Sequence, residues 1–238
     1  MGARFESALP EATLAELERK LRSLSHSEEA IQELQIFARQ LSGTRERLAV
    51  WNAHNAILRR PIENGEVGAL GFNAPGDVFA MLQGDVIRTE AAYFLGERVT
   101  GRPKYAILNS SCDLVPGRSS YAALLRILEL RRDEEKAKEK LGTLLKFARR
   151  DSMYLPVLPD DGPDVIGNVI QFDGICQIRS SELLLSHRLA SLSLAGWRIF
   201  ASFARTVIAR ANPREALIRS TLAVCRTEVL GRLKPALP

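Results

Sequence analysis

A short polar link, residues 109–120, places Ser110, Ser111, Cys112, Asp113 and Arg118 between two apolar runs, residues 105–108 and 121–130. Hydroxyl, thiol, carboxylate and guanidinium groups in one loop are the residue types of nucleophilic and acid–base chemistry. A thiolate at Cys112 would need a cation or a helix N-terminus beside it, and the adjacent Asp113 carboxylate works against it. The chain's three histidines, His26, His54 and His187, lie far from the loop in sequence. Cys112 is therefore read as a buried structural thiol, and Asp113 as a cap for the loop's own backbone. Arg102 and Arg118 flank the first run and could meet around a phosphate, which guanidinium groups grip in two-pronged fashion.

Charge gives a second candidate surface. The 238 residues carry 33 Lys and Arg against 28 Asp and Glu, a net charge of +5, but the excess sits late in the chain. From residue 181 onward the acids are Glu182, Glu215 and Glu228, while Arg188, Arg198, Arg205, Arg210 and five further basic residues oppose them. Arg198, Arg205 and Arg210 step by seven and then five, roughly one side of a helix along which a nucleic-acid strand would lie. The alternative is a solvated helical face or one meeting the acidic N-terminal helices. Cys112, Cys176 and Cys225 are odd in number and form no CxxC, which argues against a disulfide framework and a zinc knuckle; no metal or cofactor site is expected. No run approaches the ~20 apolar residues of a membrane span and the N-terminus has no apolar signal core, so a cytoplasmic protein without a membrane partner is expected.

The elements that must position these residues follow from periodicity. Leu14, Leu17, Leu21 and Leu24, then Ile31, Leu34, Phe37 and Leu41, predict two helices, with Ser27 as N-cap of the second. A third helix is expected over residues 45–59 with Trp51 in a core, ending before Pro61. Gly65, Gly68 and Gly71 mark a loop, and Gly-Asp-Val occurs at 76–78 and again at 84–86, the second copy reading as a turn into a strand over 86–90. Another extended piece is expected around 92–95. Residues 133–150 predict a helix, with acids first and bases last as the helix dipole favours. Residues 165–178 read as β structure broken by a tight turn at Asp173-Gly174. Asp160, Asp161 and Asp164 lack the ligand spacing of a calcium loop and read as an ordinary turn. Helices return over 191–210 and from Pro213 to about Leu230. The fold class is thus α+β, divided into an N-terminal helical segment (1–60), a β-rich domain with one inserted helix (61–180) and a basic C-terminal helical segment (181–238).

Gln83-Gly84-Asp85-Val86, then Gly101-Arg102-Pro103, an apolar strand ending in Asn109-Ser110, and the apolar run 121–127 together resemble the order of elements in MazF/PemK-type growth-inhibitor toxins. The resemblance covers about residues 83–130. It implies a small SH3-like antiparallel β-barrel, here framed by helices, and metal-independent RNA cleavage with Arg102 in the active site. Ser110-Ser111-Cys112-Asp113-Leu114-Val115, with Tyr154-Leu155-Pro156 and Ala190-Ser191-Leu192-Ser193, is similar to uncharacterised bacterial proteins of mobile-element and anti-phage loci. The leading expectation is a nucleic-acid-binding component of a defence or toxin–antitoxin-like system, with contacts from Arg102, Lys104, Arg118, Arg198, Arg205 and Arg210. A non-catalytic protein-interaction module is the alternative. A ribonuclease using Arg102 with Asp113 or Ser110 is the third reading.

Overall fold

The computed structural model describes residues 8–24, 28–62, 81–101, 103–115 and 117–208. The expected helix break at 25–27, the first Gly-Asp-Val, Arg102, Arg210 and the helix after Pro213 lie outside these residues. Contacts divide the chain into two units, Met1–Val207 and Ile208–Pro238. The sheet and helices described here belong to the first, save Ile208 at the end of the last helix.

Two long strands form the centre of the sheet. β6 (Tyr121–Arg131) and β8 (Val165–Arg179) pair antiparallel from Tyr121↔Arg179 to Arg131↔Val165. β5 (Lys104–Ile107) pairs with β6, β2 (Val86–Arg88) with β5, and β9 (His187–Leu192) with β2. The remaining edge strands are β1 (Leu58–Arg59) on β9, the hairpin β3 (Tyr93–Phe94) with β4 (Glu97–Arg98) beside β8, and β7 (Ser152–Leu155), also on β8. The order is β1-β9-β2-β5-β6-β8-β3-β4. Every pairing is antiparallel, and the path stays open between β1 and β4 among the described residues, so these strands do not close into a barrel. The two end strands are two residues long, too short to form a seam.

Helices cover part of one sheet face. α1 (Ala8–Ser23) and α2 (Glu28–Gln40) form as the leucine spacing predicts, and α2 buries Ile31, Leu34 and Phe37. α3 (Thr44–Trp51) is shorter than expected, because Asn55 at φ 60° and the pairing of Leu58 with Leu192 turn the chain into β1. Trp51 stands edge-on to Phe37 and to Phe147, with centroids 5.6 and 5.2 Å away, and its indole N–H donates to the Leu145 carbonyl at 3.1 Å. Phe203, of α6 (Leu194–Ile208), extends the aromatic cluster to Phe172 of β8. α6 docks closely. The Ser193 hydroxyl donates to the Ala56 carbonyl at 2.7 Å, and a β-carbon on Gly196 would stand 2.2 Å from the Ile57 carbonyl oxygen. The opposite face carries a smaller core that includes Ile87, Tyr105, Ile107, Leu124, Cys176 and Ile178.

Two further expected elements differ. The helix over 133–150 contracts to α4 (Ala137–Leu144): Lys136 at φ 60° and Phe147 at φ 49° occupy left-handed backbone at its two ends, which stops propagation. Residues 165–179 form one continuous strand in place of a hairpin at Asp173-Gly174. Gly174 is buried inside the strand, and from Ile170 onward inward and outward residues alternate strictly. Burial of alternate side chains along both neighbours outweighs the local turn preference of Asp-Gly.

Candidate nucleic-acid interface

The polar loop folds as a 3-10 turn, Ser111–Leu114, closed by the Asp113 N–H donating to the Ser110 carbonyl at 2.9 Å. It brings Ser110, Asp113 and Arg118 into one exposed loop, where an Arg118 guanidinium N–H donates to the Cys112 carbonyl at 3.1 Å. Cys112, read as a buried thiol, is exposed. Among the described residues the buried cysteine is Cys176 on β8, and burial pushes its thiol up from the usual range.

Two expected phosphate contacts have other work. Lys104 is 6% exposed, and its ammonium meets Glu129 at 2.8 Å and the fully buried Asp161 carboxylate, with Asp160 at 3.9 Å. Asp161 in turn accepts from the Leu158 N–H and the Asn168 amide, and Arg88 pairs with Asp160. A charge so enclosed holds the 158–161 turn against β5 and β6 and is not offered to a ligand. Arg198 donates to the Leu21 carbonyl at 2.9 Å and is half-buried, a cation at the C-terminal end of α1 where the helix dipole favours one. Arg205 remains exposed.

Register assembles an exposed patch that the sequence reading missed. Directly paired residues share a face, so Arg98, Tyr93, Gln177 and Ala123 form one row across β4, β3, β8 and β6. Two residues along, Tyr121 sits opposite Arg179 on the same face. This is the face that Leu125 turns toward the helices farther along β6, but here none of the described helices covers it. Tyr93 is 44% and Tyr121 55% exposed, and Arg98, Gln177 and Arg179 are exposed beside them. The Arg98 Nε–H donates to the Glu90 carbonyl at 2.7 Å, which fixes the guanidinium beside the hairpin. The Ser180 N–H and hydroxyl donate to the Ser120 and Ser119 carbonyls at 3.0 and 2.7 Å, anchoring the entrance to Tyr121. Strand spacings put the two tyrosines about 12 Å apart, two strands across and two residues along.

A cavity of about 310 Å³ adjoins the 3-10 turn at Ser111 and is lined by Arg59, Gln83, Asp85, Leu192 and Trp197 among others. Gln83 spans its wall: its amide nitrogen donates to the Leu108 carbonyl and its amide oxygen accepts from the Trp197 indole. Burial pushes the Asp85 carboxyl above the usual aspartate range, against hydrogen bonds from Ser191 and the Leu82 N–H and the charge of Arg188. Asp85 thereby ties the 82–85 turn to β9. Gly84 in that turn takes φ +83°, and a β-carbon there would press on Leu192 at 2.3 Å. The second Gly-Asp-Val is thus a structural joint.

Comparison with protein-family models, with curated proteins and with solved structures finds no match to this chain. No helix among the described residues is long and apolar enough to cross a membrane. The platform's signal was present in the sequence as the alternation Asp173, Ile175, Gln177, Arg179 against Phe172, Cys176, Ile178. The turn preference of Asp173-Gly174 masks that alternation in the sequence.

Proposed function

We propose that this protein binds single-stranded nucleic acid across the open end of its sheet, with bases stacked on Tyr93 and Tyr121 and phosphates met by Arg98, Arg179 and Arg118. The observation that carries this reading is the pairing of two exposed tyrosines with two arginines on one face of four adjacent strands. Exposed aromatic rings on a sheet suit unpaired bases, whose flat faces are available only outside a duplex, and guanidinium groups at the margins follow the backbone. Of the arginines expected along the C-terminal helix, the exposed Arg205 contributes, while Lys104 and Arg198 act within the fold. The resemblance to growth-inhibitor toxins supports a setting in a defence or toxin–antitoxin-like system.

The test is titration of labelled single-stranded RNA, single-stranded DNA and duplex DNA with the wild type and with the Tyr93→Ala/Tyr121→Ala double variant. Stacking is worth about 1–3 kcal/mol per base, so the double variant should bind single strands at least tenfold more weakly while keeping its thermal midpoint. Unchanged affinity in a folded double variant overturns the reading. A second reading, docking of a protein, draws on Leu184 and Leu185, which are 44% and 87% exposed after α5 (Ser180–Leu183). Absence of nucleic-acid binding at low salt would favour it. Cleavage of the RNA on a gel, lost in Arg102→Ala, would support a ribonuclease built on the Ser110–Asp113 turn.

A further inference from the structure

The tip of the β3–β4 hairpin is built against its own backbone preference. Leu95 and Gly96 form a two-residue connection with φ 51° and 87°, so both central residues occupy the left-handed region. Such a turn favours Asn-Gly or Asp-Gly, and leucine there carries backbone strain with no local hydrogen bond in return. Leu95 is also 89% exposed, the most exposed large apolar side chain among the described residues. A residue that is both strained and solvated stabilises nothing inside the fold, and strain of this kind concentrates where a segment meets a partner. The tip is slender: nothing stands within 4 Å of the position a Gly96 side chain would take. Tyr93 and Arg98 face each other two residues behind Leu95 on the same hairpin, about 7 Å along the strand.

We infer that Leu95 is an apolar wedge that abuts the terminal base pair of a duplex, so that the substrate class is a junction between single- and double-stranded nucleic acid. This rests on the single-strand reading above. The single strand lies over Tyr93 and Tyr121, Arg98 meets the phosphates at the fork, and the leucine covers the apolar face of the last pair. Leucine is among the side chains that proteins insert at base steps. Arginine and tyrosine beside the tip favour this occupant over an apolar protein groove.

The experiment compares two labelled RNA probes of one single-stranded sequence, one free and one continuing into a hairpin duplex. The wild type should prefer the junction about tenfold, the scale of burying one leucine side chain. Leu95→Asn, which suits left-handed backbone, should raise the thermal midpoint, leave the single-strand affinity unchanged and bring the two probes to parity. Leu95→Met should keep the preference. Binding of the single strand without preference for the junction, or a preference retained in Leu95→Asn, overturns the wedge alone. A wild type that binds neither probe overturns the single-strand reading and the wedge with it.

Discussion

If Tyr121 stacks on a base while Arg179, directly opposite it, meets a phosphate, substitutions at the two positions must leave different signatures in the salt dependence of binding. Each neutralised phosphate on a single strand contributes a slope of about −0.7 in log affinity against log salt. Arg98, Arg118 and Arg179 together then give about −2, so affinity should fall roughly 20-fold between ~50 and ~200 mM salt. Arg179→Ala should flatten the slope by about 0.7, with its largest effect at low salt. Tyr121→Ala should lower affinity by about 1–3 kcal/mol at every salt concentration and leave the slope in place, because stacking releases no counterion. The assay is fluorescence anisotropy with a labelled single strand at four or more salt concentrations, with thermal melts confirming that each variant folds. An unchanged slope in Arg179→Ala, or a Tyr121→Ala variant that loses slope instead of affinity, would refute the division of labour on this face.

Two further outcomes concern the scaffold. Lys104→Met removes the cation enclosed by Glu129, Asp160 and Asp161; leaving those carboxylates facing each other should cost about 3 kcal/mol and lower the melting midpoint by roughly 6–12 °C. The same variant, assayed below its melting range, should keep the wild-type salt slope, since Lys104 meets no phosphate. Asp85 is held by burial above the ordinary aspartate range, so between the unfolded and the native pKa the folded chain keeps a proton that the unfolded chain releases. Its contribution is full below the unfolded pKa of about 3.9 and is lost as pH rises through the higher native value. Urea unfolding from acid to neutral pH should accordingly show Asp85→Asn gaining on the wild type as pH rises; parallel curves would contradict the assignment.

Much of the scaffold was legible in the sequence, and the interface was not. The leucine spacing of α1 and α2 and the apolar runs of β5 and β6 are strong periodic signals, and those elements lie where they predict. Charge order along 133–150 matches a helix dipole over a longer span than α4 occupies, because left-handed backbone at Lys136 and Phe147 is set by packing that no local pattern reveals. Asp173-Gly174 carried a genuine turn preference, outweighed by ladder partners on both sides. Residue type alone does not distinguish a basic side chain that meets a ligand from one that holds the fold. Whether Lys104 faces water or three carboxylates depends on residues about 25 and 57 positions away, and whether Tyr93 aligns with Arg98, Gln177 and Ala123 depends on register across four strands.

The strand order has a consequence for how the chain is made. β2 lies between β5 and β9, and among the described strands β1 pairs with β9 alone, so residues 58–59 and 86–88 leave the ribosome roughly 130 and roughly 100 residues before His187–Leu192 exists. Trp51 waits as long for Phe147, and the cluster it begins waits for Phe203. Throughout synthesis, then, a strand edge and a set of large aromatic rings remain uncovered, the combination that draws nascent chains into association with one another. Such pairings of distant segments also slow the final collapse. Production of the protein should therefore depend on chaperone capacity and on the pace of translation more than its finished stability would suggest, with late sheet completion as the step at risk.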